Sequence, residues 1–392
     1  MSFPSVALGD VVSFKGGGTP SRDQSTYWGG DIPWATVKDF NDGYLIRTTR
    51  DFITPEGLKN SASNLISAGT VIIPTRMALG KAAIAQRDVA INQDLKAVVP
   101  SGEVDPRYLL WYFIANASQI QSMGKGATVK GVTLDQLRKL QFPLPPFPEQ
   151  RRIAAILDKA EALRAKRSEA IAKLDQLLQS VFLEMFGDPL TNPKEWPAVT
   201  VAEIAEVQGG LQFSASRKDI PNSVPYLRVA NVQRGFLDLA EIKEMGATVA
   251  EVQRIRLNAG DILVVEGHGN PDEIGRCAVW DGSISECIHQ NHLIRVRANP
   301  ETVTPSFLAS YLNSDVGSRW LKGTARTTSG LNTISVKKVR ETQVLLPPLA
   351  LQQRWDDFVL SVADRRSVAL VAAVKNASLF EALQAQAFSG KL

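Results

Sequence analysis

Apolar residues recur at steps of three and four from Ile153 to Met185: Ile153, Ile156, Ala160, Leu163, Ile171, Leu174, Leu178, Val181 and Met185. Arg167 alone interrupts the series. This heptad seam predicts one amphipathic helix that needs a partner along most of its length. The entry Leu144-Pro145-Pro146-Phe147-Pro148-Glu149-Gln150 and the close Phe186-Gly187-Asp188-Pro189 are start and stop signals, and no Gly or Pro lies between Glu149 and Phe186. Glu149 suits the positive end of the helix dipole. At about 1.5 Å per residue such a helix is roughly 54 Å long.

The pattern occurs twice. At a constant offset Pro145 and Pro146 fall on Pro347 and Pro348, Gln150 on Gln352, Arg152 on Arg354 and Phe186 on Phe388. The second seam runs Trp355, Phe358, Val362, Arg365, Ala369, Ala373, Asn376, Phe380, Leu383, Ala387 without a gap. Entry, seam and terminal Phe coincide, so the reading is an internal repeat of half the chain.

Ahead of each helix lies a stretch of short strands. In the first, Val11 to Phe14, Ile32 to Val37, Val71 to Pro74, Ile84 to Ala85 and Leu95 to Val99 read as strands. Pro106 to Met123 reads as one helix, and Thr133 to Leu137 as a short capped one. Asn41-Asp42-Gly43 reads as a turn, and Gly124 to Gly131 as a mobile basic loop. In the second, Val207-Gln208-Gly209-Gly210, Val224 to Asn231, Ala259 to Val264, Val303 to Asn313 and Lys322 to Arg326 repeat that order, with Gln290 set against Gln93. Thr36, Lys38 and Asp39 become Arg228, Ala230 and Asn231, so two related scaffolds carry different polar residues.

The expected fold is α+β: two repeated α/β units, residues 1–147 and 191–349, with long helical segments over 148–190 and 350–392. A length of 392 residues suits two or three domains. A net charge of +4 and a pI of about 9.0 permit nucleic acid as a partner without requiring it. No unbroken apolar run reaches about 18 residues and the start lacks a basic-then-apolar leader, so neither a membrane span nor a signal peptide is expected. Two cysteines fit a reducing cytoplasm.

The chain carries no catalytic constellation at sequence level. Lys15-Gly16-Gly17-Gly18-Thr19-Pro20 lacks the spacing of a phosphate loop and reads as a flexible turn. Cys277, Cys287, His289 and His292 do not match zinc-ligand spacings, and His289 fits an alternating strand better. All three histidines lie in the second unit, which leaves the first without a Ser-His or Cys-His base. The Asn/Asp-Pro-Pro-Tyr/Phe tetrapeptide of amino-methyltransferases and the spaced acids of a nuclease core are missing. What remains suits binding, because Arg, Lys, Asn and Gln hydrogen-bond base edges and phosphates. The DNA-binding candidates are Lys15, Arg22, Lys38, Arg76, Lys81, Arg87, Lys125 and Lys130 in the first unit. In the second they are Arg217, Arg228, Asn231, Gln233, Arg234, His268, Asn270, Arg276, Asn291, Lys322 and Arg326.

Gly17-Gly18-Thr19-Pro20, Trp28-Gly29-Gly30-Asp31-Ile32-Pro33-Trp34, the Leu-Pro-Pro-x-x-x-Gln entry to each helix and Phe186-Gly187-Asp188-Pro189 together resemble the specificity subunits of type I restriction-modification systems. The resemblance covers nearly the whole chain. It implies two target-recognition domains, each reading half of a split site in double-stranded DNA. The long helices would pack antiparallel as a coiled-coil spacer, with pseudo-two-fold symmetry. They would dock two methyltransferase subunits, and restriction subunits would join that core. It implies no cofactor on this chain, with S-adenosylmethionine, ATP and magnesium on the partners, and a cytoplasmic location away from membranes. The second helix departs from the pattern, with Ala350-Leu351 where the first has Pro148-Glu149. A fused modification or nuclease chain and a helical adaptor for two protein ligands are the competing readings, the first opposed by the missing motifs.

Overall fold

The computed structural model describes residues 3–40, 43–126, 130–322, 326–328 and 331–392. The chain divides into two compact units, residues 1–168 with 371–392 and residues 169–370. Both long helices are continuous. The first, Phe147–Phe186, begins in unit 1 and ends in unit 2; the second, Leu349–Ser389, does the reverse. The segments expected as separate spacers thus divide between the units, because the end of each helix is buried in the core of the unit it reaches.

In unit 1 a five-stranded sheet has the order Val12–Gly16, Leu95–Pro100, Val71–Pro74, Ala83–Ala85, Leu45–Ile46. A four-stranded sheet has the order Asp51–Ile53, Trp28–Ala35, Val89–Ile91, Asn64–Ile66. The expected helix from Pro106 to Met123 is two helices, Pro106–Ala115 and Ala117–Met123. At Asn116 the backbone leaves helical geometry, and the side-chain amide donates to Tyr112 O at 2.8 Å. Such local side-chain bonds compete with the helix ladder. The first long helix packs here through Ile153, Ala154 and Leu157. The end of the second meets it with Phe380, 5.5 Å from the Trp111 ring, and Phe388, 5.2 Å from Tyr108.

Unit 2 repeats the plan. Its main sheet is Ala205–Gly209, Leu293–Ala298, Ile262–Val265, Cys277–Val279, beside a sheet of Lys243–Gly246, Ser223–Leu227, Ile288–His289. Phe182 and Phe186, at the end of the first long helix, pack on Phe307 and Trp355 at 4.8–6.0 Å. In unit 1 Arg152 lies by Leu392 and Arg164 over Phe380; in unit 2 Asp175 pairs with Arg366 and Phe186 meets Trp355. Within each unit the two helices therefore run antiparallel.

The repeated glutamines explain the helix entries. Gln150 is fully buried, accepts from Asp105 N and donates to Glu103 O and Pro145 O, all at 2.9 Å. Gln352 accepts from Thr304 N at 2.9 Å and donates to Thr302 O and Pro347 O. Each amide ties the start of a long helix to the start of the helix packed beside it, and satisfies backbone groups that burial would otherwise leave unpaired.

The seams are close to those read from sequence, with shifts. Leu163 is exposed, while Leu157, Phe182 and Phe186 are buried one step to the side. Arg365 is also exposed. Its neighbour Arg366 turns in, 3.3 Å from Asp175 and over the Phe236 ring. The second long helix is long and apolar enough to cross a membrane by length and composition, with a mean hydropathy of 1.2 over an 18-residue window. The expectation of no such helix rested on unbroken apolar runs, which a window average does not require. The apolar residues responsible are mostly exposed, among them Val368 and Leu370 in unit 2 and Val371, Val374 and Leu379 in unit 1.

Candidate nucleic-acid interface

Backbone hydrogen bonds place the two units in register. Gly18 N donates to Ile91 O and Asn92 N to Ala35 O; in unit 2 Leu211 N donates to His289 O and Gln290 N to Leu227 O. Gln290 thus takes the place of Asn92, not of Gln93 as the sequence spacing suggested, and the buried His289 takes that of Ile91. The Gly-rich turn is not a free loop. A Cβ on Gly17 would lie 2.0 Å from Ile91 O, and one on Gly210 2.3 Å from Gln290 O. These glycines let the chain pass against the sheet.

After the buried central strand of each unit the chain turns a corner. Thr75 N donates to Asp94 O, Val132 N to Thr75 O and Met77 N to Lys130 O. In unit 2 Glu266 N donates to His292 O and Ile334 N to Glu266 O, and Gly267 and His268 pair with Thr333 and Asn332. After the paired helices of each unit (Pro106–Ala115 with Ala117–Met123, and Pro305–Asn313 with Asp315–Lys322), residues 130–132 and 332–334 therefore lie against equivalent corners. Of the expected mobile basic loop, residues 127–129 lie outside the described residues, as do 323–325 and Asn41 and Asp42 of the expected turn.

In unit 1 the corner borders a cleft of about 680 Å³ lined by Arg76, Met77, Gln93, Asp94, Lys96 and Lys125, among others. Three of these side chains are cationic. Arg76 stands 3.9 Å from Asp94, and Lys96 donates to Gln93 O and Leu95 O. Burial holds the Lys96 ammonium below its usual pKa, with Arg76 adding to the effect and Asp94 opposing it. Lys125 and Lys130 are exposed, as are Lys38 and Arg87, and none has an ion pair among the described residues. Lys15 reaches Leu65 O and Lys81 donates to Phe40 O at 3.1 Å. Arg22 lies 3.7 Å over the Trp28 ring and pairs with Asp51 at 3.2 Å, which fixes its guanidinium plane.

The candidates of unit 2 are mostly engaged within the unit. Arg217 forms a fork with Glu251, whose carboxyl that guanidinium pulls down to about 2, helped by the Thr248 backbone. Arg228 pairs with Glu241, Arg276 with Glu273 at 2.5 Å, and Lys322 with Asp272 at 3.6 Å. Asn231 is buried, accepts from Arg228 N and donates to Asp238 O and Glu241 O. Asp39 holds the same capping place in unit 1, accepting from Thr36 N. Gln233 donates to Ala230 O, Asn270 caps Asp272 N, and Arg234 donates to Asp272 O. Asn291 is half-buried beside the Leu211 turn, and Arg326 stands opposite Thr333 on the strand Arg326–Thr328. His268, Asn270, Asp272, Arg234 and Lys322 form one group at the unit 2 corner. Arg217 and Arg228 lie outside it, on other loops.

A model of the type I restriction modification DNA specificity domain matches residues 3–173 and, a second time, residues 193–376. The chain belongs to that family. Among relatives, it is 27% identical over 247 residues to the type I restriction enzyme MjaIX specificity subunit of Methanocaldococcus jannaschii, covering 58% of this chain and 57% of that one. It is 25% identical over 299 residues to the EcoKI specificity subunit of Escherichia coli, covering 70% and 62%. The matched stretches thus span less than two thirds of these relatives' own lengths. The crystal structure of a type I specificity subunit from M. genitalium superimposes with a TM-score of 0.59 at 13% identity, over 99% of this chain and 96% of that one. A structure described as underlying complex assembly and conformational transition of the type I system gives 0.57 at 18% identity, over 100% and 98%. At these identities the likeness shows the fold. The two specificity-domain matches coincide with the repeat, one in each half of the chain.

Proposed function

We propose that this chain is the non-catalytic subunit that gives a type I restriction-modification complex its DNA sequence specificity, each unit reading one half of a bipartite site. The observation that carries the reading is the double match to the specificity-domain family on a chain whose two halves share backbone register but differ in polar residues at equivalent loops. Methyl transfer and cleavage then belong to partner methyltransferase and restriction subunits, with S-adenosylmethionine, ATP and magnesium bound there. The complex acts on cytoplasmic DNA. The exposed Val371, Val374 and Leu379 of the second long helix are the surface on which we place a methyltransferase subunit, because apolar side chains there lack cover.

Lys125 and Lys130 are assigned to phosphate, since each is exposed and without an ion pair among the described residues. Replacing either by Ala weakens binding to all duplex sequences alike and flattens the plot of log K against log salt by about one unit. The check is a salt titration of duplex binding by the assembled complex. A changed base preference at an unchanged slope contradicts the assignment, and no duplex binding at any salt favours the protein-adaptor reading.

A further inference from the structure

We propose that the corner residue of each unit, Met77 in unit 1 and His268 in unit 2, is a base-reading residue of its half-site. This rests on the DNA-reading function proposed above and deepens it. Met77 makes the apolar contact, to the 5-methyl group of a thymine. His268 donates a hydrogen bond to a purine acceptor.

The two residues are equivalent by hydrogen bonding rather than by alignment. Each follows the buried central strand by the same number of residues, and each pairs with the segment that follows the paired helices, Met77 with Lys130 and His268 with Asn332. Met77 is 70% exposed, the most exposed large apolar side chain among the described residues of unit 1. Its φ is +66°, in the left-handed region that a side chain beyond Cβ occupies only at a cost. Gly or Asn would turn this corner with less strain, so the turn itself does not call for Met. Strain held at an exposed tip is a mark of a functional position. Around it stand Arg76, Lys96 and Lys125 on the rim of the cleft, with Lys130 across the backbone pair. An apolar tip ringed by cations is suited to a groove, where the cations meet phosphate and the tip meets a base edge. Of the groups on base edges, the thymine methyl is the one an apolar side chain reads.

His268 carries the opposite chemistry at the same place. Its Nδ1 accepts from Asn270 N at 3.0 Å, which leaves the proton of the neutral ring on Nε2 as a donor, and the side chain is half-exposed. Arg234 and Lys322 flank it, both drawn to Asp272. A donor among cations suits guanine N7 or O6, the acceptors of the major groove. The corner thus supplies one letter of specificity in each unit, apolar in one and hydrogen-bonding in the other.

The test uses the full chain assembled with methyltransferase subunits, once the methylation motif of the parent complex is known. Met77→Gly relieves the positive φ, so the unit keeps or gains thermal stability. It relaxes one T·A position of the unit 1 half-site and leaves the other half-site unchanged. Replacing that thymine by uracil weakens binding of the parent about fourfold, the worth of one buried methyl group, and leaves Met77→Gly binding unchanged. His268→Ala relaxes one position of the other half-site only. Unaltered letters in both variants, with methylation persisting, overturn the inference while leaving the DNA-reading function intact. A parent complex with no bipartite motif overturns both.

Discussion

Four residues inserted into each long helix, after Ser168 and after Leu370, are expected to widen the gap between the two half-sites by one to two base pairs and to leave the half-site letters as they were. These helices are the elements that pass between the units, each continuous over 40 and 41 residues. Both insertion points are exposed and lie at the division between the compact units, away from the buried aromatic ends. Four residues advance the helix by about 6 Å and keep the seam roughly in phase. At about 3.4 Å per base pair along the duplex, that is one to two steps. The added DNA twist has to be absorbed by bending or by the chain near Pro189-Leu190, so affinity falls somewhat. The recognition loops move with their own units and read the same bases. Sequencing the methylated positions made by the lengthened complex checks this. An unchanged gap, or new letters at the old gap, shows that the helices do not set the spacing.

Acid is expected to unfold unit 2 before unit 1, through His289. The imidazole is fully buried, and its ring nitrogens close no hydrogen bond of good geometry. Burial pushes its pKa down to about 4 from the ordinary 6.5; the charge of Arg295 adds to this, and the backbone at Ile255 and Gln208 and the charge of Asp261 oppose it. The folded protein therefore binds this proton more weakly than the unfolded chain. Its contribution is complete above about pH 6.5 and is lost as the pH falls toward 4. That interval corresponds to roughly 3 kcal/mol. Unit 1 has Ile91 at the same place and lacks the effect. His289→Ile puts the residue of unit 1 into a β-strand that accepts it, and removes most of the loss between pH 6.5 and 4. Denaturant titrations at pH 7.5 and 5.0 check it. Equal acid sensitivity in parent and variant contradicts the assignment.

The parts of this architecture that were legible in the sequence are those with a period or a stop signal. The heptads and the Pro-Pro entries marked the starts of both long helices to within a residue, and Gly187, at positive φ, marked the end of the first; the expected segments 148–190 and 350–392 run three to four residues past the observed ends. The short strands were marked by apolar runs between turns. Facts that depend on distant packing were not legible. Gln150 and Gln352 repeated visibly, but that they clamp the helices beginning at Pro106 and Pro305 follows only from where those helices lie. Gln290 lies one step from the register its sequence spacing implies, because the units differ in loop length and the hydrogen bonds, not the spacing, fix the register. Arg365 and Arg366 are adjacent, and which one turns inward depends on Asp175 and Phe236.

At the candidate interface, residue type named the cations but not their partners. Arg217, Arg228 and Arg276 look like Lys125 and Lys130 in a sequence, yet each already faces a carboxylate. Met77 carries little signal in the sequence, because a lone Met after a strand is usually core. Its exposure and its left-handed backbone are tertiary facts. The available hint is its place between Arg76 and the Gly80 turn, three residues beyond a strand too apolar to be at the surface.

The central claim is that each unit reads its own half of one DNA site. It is tested most directly by exchanging residues 195–349 for the matching unit of another type I specificity chain, assembling both complexes with methyltransferase subunits and sequencing the methylated positions. The account predicts a bipartite motif for the parent, and for the exchange a motif in which one half is replaced while the other half and the gap stay as they were. A motif changed in both halves, or methylation with no bipartite pattern at all, would contradict it.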